Sequence, residues 1–369
     1  MKVPFFDYKQ LYLKDKNAIN KIFNDISSKG AFILQKDVAN FEKKICNYTK
    51  AKYAISVANG TDAMQIYLKA YGIKTGDEVI LSSHTMIATA SSIKFCGATP
   101  VPVDIKISDG LIDPKEIEKK INKRTKAILV THLNGRTCEM KEIIKISKKY
   151  KLKLFEDGAQ SLGSKYMNKN AGTFGDASSI SFYPAKILGC FGDGGIILTN
   201  NKSMAKKMRI MRDHGRDENG SIRYWGYNSR LDNIQAAILN HFFLDFKKTI
   251  SQRRKIAKIY NKNLKNIVEI KLPIIERNSK KNFDTFQNYE IQAKDRDQLK
   301  KFLFKSGIGT IIPWNGVAIN NLKNLGIRIK LNNSDELFEK FLMLPMNNFI
   351  SQPQVHYVIS CIKKFYNYK

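Results

Sequence analysis

An α/β fold is predicted for this chain: a mostly parallel sheet covered by helices in a large domain, followed by a smaller C-terminal α+β domain. Three observations predict it. Short apolar runs of strand length alternate with helical stretches between residues 53 and 199, the pattern left by crossover-connected parallel strands. A length of 369 residues suits two domains, and a hydrophobic content of 43% supplies a sizeable core. Beyond Lys271 the organisation of the elements changes.

The elements follow in order. Ile22, Phe23, Ile26, Phe41, Ile45 and Tyr48 recur at helical spacing within Ile19–Tyr53. Tyr53–Val57 is a short apolar run that ends in the turn Asn59-Gly60-Thr61, and Met64, Ile66, Tyr67, Leu68 and Tyr71 mark a helix after it. Glu78–Ser82 reads as a buried strand, followed by a helix through Ala90 and Phe95 and a strand at Pro100–Val103. Ala127–Thr131 and Leu152–Glu156 are two more strands with a lysine-rich helix, Met140–Tyr150, between them. Ser178–Phe182 and Gly195–Thr199 form a close pair of β runs. One long helix is expected around Asp232–Phe246, continued by Ile250–Asn266. The second domain is expected to hold a strand at Asn288–Ile291, a helix at Asp297–Ser306, a short strand at Thr310–Ile312 and a terminal helix at Gln354–Phe365. The domains expected are 1–246, with an N-terminal arm, and 247–369.

Composition excludes several classes. No apolar run approaches the ~20 residues of a membrane helix, and MKVPFFDYKQ has no signal-peptide core, so a soluble, cytoplasmic protein is expected. Cys46, Cys96, Cys138, Cys190 and Cys361 form no CxxC pair, and His84, His132, His214, His241 and His356 show no ligand spacing. Neither a disulfide framework nor a metal site is expected. The net charge is +30, with basic groups such as Lys119, Lys120, Lys123, Arg124 and Lys126, Arg253, Arg254 and Lys255, and Lys280 and Lys281. No helix-turn-helix or RNA-binding signature accompanies them, so no nucleic-acid partner is expected. A general pull on anions would favour a phosphorylated substrate.

The chemistry concentrates in Leu154–Asn200. Asp157 falls at the carboxyl end of a predicted parallel strand, where open α/β sheets place their ligands. Lys186 lies in a Tyr-Pro-Ala-Lys turn with Gly189, Gly192, Gly194 and Gly195 close behind. A solvated lysine and a helix N-cap are the ordinary readings of these two residues. They do not explain both in one glycine-rich stretch. Upstream, Asn59-Gly60-Thr61 ends a strand and opens a helix, either an ordinary turn with Thr61 as N-cap or an anion site. A phosphate cradle, a carboxylate and a nucleophilic lysine are together what pyridoxal phosphate (PLP) requires.

The segments VANGTDAM, GDEVILSSHTMIATASSIKFCGATPVPVDI, FEDGAQSLGS, SFYPAKILGCFGDGG and YNSRLDNIQAAIL occur in this order. In them the chain resembles the DegT/DnrJ/StrS sugar aminotransferases, which have the PLP-dependent transferase fold type I. The resemblance implies the following roles. Lys186 is the Schiff-base lysine and proton carrier, and Asp157 sits at the pyridine nitrogen. Gln160 lies beside the cofactor ring, and Gly60, Thr61 and Ser181 hold its phosphate. Asn228 reaches the phosphate from the other subunit, so a homodimer with shared active sites is implied, and Arg230 on the same loop faces the substrate. Met86 stands where the family stacks an aromatic ring on the cofactor; it either covers the ring or is a core residue. His84 is either a substrate contact or a structural histidine. The family's His-Tyr-Pro is replaced by Ile311-Ile312-Pro313-Trp314-Asn315, where Trp314 either lies along the substrate or is buried. His214, between Arg212 and Arg216, is read as part of a solvated loop.

The implied function is transfer of an amino group, from glutamate, to a nucleotide-linked keto-sugar in surface-polysaccharide or amino-sugar biosynthesis. PLP is the cofactor, pyridoxamine phosphate its intermediate form. The form Leu188-Gly-Cys-Phe-Gly-Asp-Gly-Gly195 resembles members that aminate C3 rather than C4. A sugar dehydratase of the same family is the alternative, disfavoured because Lys186 is retained. A regulatory, DNA-binding relative is a third reading, motivated by the charge alone.

Overall fold

The computed structural model describes residues 1–275 and 282–368; Lys280 and Lys281 lie outside the described residues. An N-terminal arm carries α1 (Tyr8–Leu13), α2 (Lys16–Ser27) and α3 (Lys36–Thr49). The large unit then runs β1 (Tyr53–Val57), α4 (Gly60–Ala70), β2 (Glu78–Ser82), α5 (Ile87–Phe95), β3 (Thr99–Val103), α6 (Pro114–Lys120), β4 (Thr125–Thr131), α7 (Met140–Lys149) and β5 (Lys153–Asp157). A hairpin of β6 (Lys165–Tyr166) and β7 (Lys169–Asn170) precedes β8 (Ala177–Ser181), β9 (Gly195–Thr199), α8 (Lys202–Met211) and α9 (Asn233–Phe242). The chain continues through α10 (Phe246–Leu264), β10 (Ile270–Lys271), β11 (Tyr289–Ala293), α11 (Arg296–Lys305), α12 (Asn332–Phe338), β12 (Phe341–Leu344) and α13 (Gln352–Phe365).

The main sheet has seven strands in the order β1-β9-β8-β5-β4-β2-β3. Strands β8, β5, β4, β2 and β3 pair in parallel, and β9 is antiparallel to both its neighbours. Alternate residues feed opposite faces. Ile55, Val57, Val79, Leu81, Leu129, Phe155 and Ile197 pack with α4, α5 and α8, whereas Ile180, Ile196 and Leu198 pack with α3, α9 and α10. Burial on both faces is why these strands read as continuous apolar runs.

A buried ion pair locks the first elements together. Glu42 on α3 accepts from the Ser56 N–H at 2.8 Å, from Arg212 at 2.7 Å and from Arg209 at 2.7 Å. Burial pushes its carboxyl up, but the two guanidinium groups and the N–H outweigh burial and hold it below its ordinary value.

The second sheet has three antiparallel strands, β10-β11-β12. Its core joins Tyr289, Ile291, Leu342 and Leu344 with Tyr260 and Leu264 of α10. Val3 belongs to this core and bridges Ile308, so the arm is tied to the C-terminal elements. Among the described residues no helix is long and apolar enough to cross a membrane.

Two expected elements differ. The long helix after Asp232 is interrupted by a 3₁₀ turn at Phe243–Asp245. The expected strand at Thr310–Ile312 is a single bridge between Ile311 and Met343. Pro313 follows it, and Trp314 and Asn315 turn into the left-handed region at φ 46° and 55°, which ends extended pairing.

Candidate active site

The carboxyl ends of the parallel strands open into a cavity of about 320 Å³, within the ~300–1,000 Å³ of small-molecule sites. Gly60, Thr61, Met86, Asp157, Gln160, Ser181 and Lys186 all line it. Seven residues from separate parts of the sequence are thus brought to one place.

The anion cradle comes from the start of α4. Its N-cap is Asn59, not Thr61: the Asn59 side chain accepts from the Asp62 N–H at 2.8 Å. Gly60 and Thr61, the first residues of the helix, line the cavity with the helix dipole behind them, and their N–H groups take no part in the cap. Close approach demands glycine here. A Cβ on Gly60 would lie 3.2 Å from the Ser181 Cβ, and one on Gly195 would lie 2.4 Å from the Asn59 carbonyl. Ser229 pins the loop from a distance in sequence, accepting from the Ala58 N–H at 3.1 Å and donating to Asp62 at 2.7 Å.

Asp157 is the last residue of β5 and is 4% exposed. Its Oδ1 accepts from the Ala159 N–H at 3.1 Å and its Oδ2 from the Thr89 hydroxyl at 2.7 Å. Lys186 follows β8, which is parallel to β5 with Asp157 opposite Ser179. Burial of the amine lowers the Lys186 pKa to about 8, against the opposing pull of the Asp157 charge. Its turn is clamped from the C-terminal unit: Gln287 donates to the Ala185 carbonyl at 2.8 Å and accepts from the Ile187 N–H at 2.9 Å. Arg253, buried and with its pKa lowered to about 9 by that burial, donates to the Gln287 carbonyl at 2.9 Å.

Gln160 has its amide sense fixed by its neighbours. Oε1 accepts from the Asn134 N–H at 2.9 Å and from Asn288 Nδ2 at 3.2 Å, so Nε2 remains to donate toward the cavity. Met86 is no core residue: it is 52% exposed on the cavity rim at the N-cap of α5. Tyr183 and Asp193 also line the cavity.

Four predicted residues are not brought to the cavity of this chain. His84 is 1% exposed, stacked on Phe341 at 4.4 Å with an edge contact to Trp314 at 5.1 Å, and its Nδ1 bonds the Gly110 carbonyl at 2.9 Å. The His84 ring is sealed in packing and does not line the cavity. Trp314 sits in the same aromatic cluster, 6.3 Å from Phe338, and is half-buried there. Asn228 is exposed and bridges Asp213 through its backbone, and Arg230 pairs with Asp213 at 2.9 Å. His214 lies on the same exposed loop at φ 57°.

Sequence reading missed Thr89, Ser229, Gln287 and Asn288. Each acts across a separation of tens of residues or more, and no local motif marks such a partner. Among the described residues no cluster of three or more His, Cys, Asp or Glu could hold a metal ion. The site residues fit PLP: free N–H groups and hydroxyls for a phosphate, a buried carboxylate for a ring nitrogen, and a desolvated amine.

Comparison with known proteins agrees with this geometry. A model of the DegT/DnrJ/EryC1/StrS aminotransferase family matches residues 14–363. The chain is 37% identical to a "Pleiotropic regulatory protein" of Geobacillus stearothermophilus, covering 100% of each chain. It is 36% identical to dTDP-3-amino-3,6-dideoxy-alpha-D-galactopyranose transaminase of Aneurinibacillus thermoaerophilus, covering 98% of this chain and 99% of the other. The solved structure of DesV from S. venezuelae superposes with a TM-score of 0.94 at 30% identity, covering 100% of this chain and 99% of that one.

The site makes a titration prediction. Competitive amine labelling across pH, read by peptide mass spectrometry, should modify Lys186 of the cofactor-free protein with a midpoint near 8, against 10.5 for an ordinary lysine. A midpoint above 10 would contradict the desolvated environment.

Proposed function

Because the chain belongs to the DegT/DnrJ/EryC1/StrS aminotransferase family, we propose that it is a PLP-dependent aminotransferase that moves an amino group from glutamate to a nucleotide-linked keto-sugar. The observation that carries the reading is the meeting of Lys186, Asp157 and the Gly60–Thr61–Ser181 cradle in one cavity.

Bound PLP supplies an electron sink for the carbanionic charge that develops at the donor and sugar carbons. The chain's residues do the rest. Lys186, with its pKa near 8, holds an appreciable fraction of free amine at neutral pH, which suits it to attack a carbonyl and to carry a proton. Asp157 offers a negative charge held by two donors, which favours a protonated ring nitrogen. Gln160 offers an N–H to the ring's oxygen substituent, and Met86 offers an apolar, polarisable cover. The cradle and the surrounding basic surface favour phosphate groups on cofactor and substrate.

Asn228 and Arg230 do not line their own cavity, although Ser229 between them bonds Ala58 and Asp62 beside it, and this placement suits service to a second copy. A C2 dimer with two composite sites accounts for both residues. The turn Leu188–Gly195 and the 36% likeness to a 3-amino-sugar transaminase support amination at C3. The retained Lys186 speaks against a dehydratase. Surface-polysaccharide or amino-sugar biosynthesis is the setting this substrate class suggests.

Matched 3-keto and 4-keto nucleotide sugars, offered with glutamate and followed by mass spectrometry and NMR, test the reading. Glutamate-dependent amination of the 3-keto sugar is expected. Amination of the 4-keto sugar alone would reject C3, and amination of neither would reject the substrate class. Lys186→Ala should lower turnover by several orders of magnitude. Mixing it with Asn228→Asp protein should restore one intact site per heterodimer; no recovery in verified heterodimers would reject the shared site.

A further inference from the structure

At the cavity wall, three threonine hydroxyls form an unbroken line to Asp157. Thr131 Oγ1 lies 2.8 Å from Thr85 Oγ1, Thr85 Oγ1 lies 2.8 Å from Thr89 Oγ1, and Thr89 Oγ1 donates to Asp157 Oδ2 at 2.7 Å. The line crosses separate elements. Thr131 ends β4, Thr85 lies between β2 and α5, and Thr89 is in the first turn of α5. Thr131 and Asp157 are register partners on paired strands. All three threonines are buried, at 5%, 1% and 0% exposure.

We propose that Thr131, Thr85 and Thr89 form a one-way donor chain that positions the Asp157 carboxylate against the cofactor ring, a role resting on the reading of this cavity as a PLP site. The direction follows from donor counting. A carboxylate only accepts, so Thr89 spends its single proton on Asp157. Thr89 Oγ1 is then left with lone pairs, which take the Thr85 proton, and Thr85 in turn takes the Thr131 proton. With every O–H aimed at the anion, each bond polarises the next. The chain ends at the cavity, since Thr85 and Thr131 line it and Thr89 does not. The Ala159 N–H on Oδ1 and the Thr89 hydroxyl on Oδ2 together fix the carboxylate plane. Thr89 is therefore a positioning residue, acting through Asp157.

Other charged and titratable groups near Asp157 come from different elements. Lys186 follows β8 and feels the Asp157 charge. Tyr67 on α4 is buried, and burial and then the Asp157 charge put its pKa well above the ordinary value. Glu156, the neighbour on β5, is spoken for elsewhere by His132 at 2.8 Å and by the N–H groups of Gly172, Phe174 and Gly175, each at 2.7 Å. None of these donates to the Thr89 side of the carboxylate.

The test compares PLP-loaded wild type with Thr89→Val, Thr89→Ser, Thr85→Val and Thr131→Val. Valine keeps the shape and removes the donor; serine keeps the donor. The readouts are the pH midpoint of the cofactor's visible absorbance and the rate of cofactor loss on dialysis, with near-UV circular dichroism as the folding control. Thr89→Val should raise the midpoint by about one pH unit and speed cofactor loss about tenfold, because a carboxylate that loses a donor binds the ring proton more strongly. Thr89→Ser should match wild type. Thr131→Val should shift the midpoint the same way by less, and it reports on the chain even where Thr89→Val fails to fold. A fully loaded Thr89→Val protein with the wild-type midpoint would overturn the proposal and leave the PLP reading standing. An unmoved Thr131→Val would also overturn it, by reducing the chain to one bond. A wild type that takes up no PLP would remove both.

Discussion

Everything at this site depends on holding an amine and a carboxylate together, largely out of water, at the carboxyl ends of one sheet. Desolvation disfavours both charges, and only a dense set of fixed donors makes the arrangement tolerable. The strand order provides it. β5 lies between β4 and β8, so Asp157 has Thr131 on one side and the Lys186 turn on the other. The antiparallel β9 passes beneath Asn59, which it can do only because residue 195 is glycine. That contact sets the start of α4 against Ser181 and so shapes the anion cradle.

The C-terminal unit completes the arrangement through one short stretch. Gln287 grips the turn that carries Lys186, Asn288 bonds Gln160 and Asn134, and Glu290 accepts from Asn134 at 2.9 Å. Residues around the start of β11 thus reach the Lys186 turn, Gln160 and Asn134. A displacement of this unit would move both cavity-lining groups, Lys186 and Gln160, so the unit's packing is part of the site's geometry. Arg253 on α10 braces the same stretch from behind through the Phe286 and Gln287 carbonyls.

What was legible in the sequence was local. Lys186 in its glycine-bounded turn, Asp157 at a strand end and Gly60 at a helix start each carry their signal within a few residues, and the cavity contains all three. Helices and parallel strands were likewise marked by period and by apolar runs. What was not legible was long-range. No pattern ties Thr89 to Asp157, 68 residues apart, or Gln287 to Ile187, 100 apart. His84 and Trp314 were open between two readings for a related reason: local sequence does not say what a polar or aromatic residue near a motif packs against, and here the two pack on each other and on Phe338 and Phe341. The capping role passed from Thr61 to Asn59 because the asparagine amide oxygen reaches the Asp62 N–H, which frees the threonine for the cavity.

Among the described residues Lys186 alone joins a desolvated amine, the neighbouring Asp157 charge and the cradle, and on the proposed reading this is the lysine that holds the cofactor covalently. Borohydride reduction of the PLP-loaded protein, followed by peptide mass mapping, tests it most directly. A stable phosphopyridoxyl group on the peptide containing Lys186, at close to one per chain, is the expected result. Modification spread over surface lysines, with Lys186 unmodified, would contradict it.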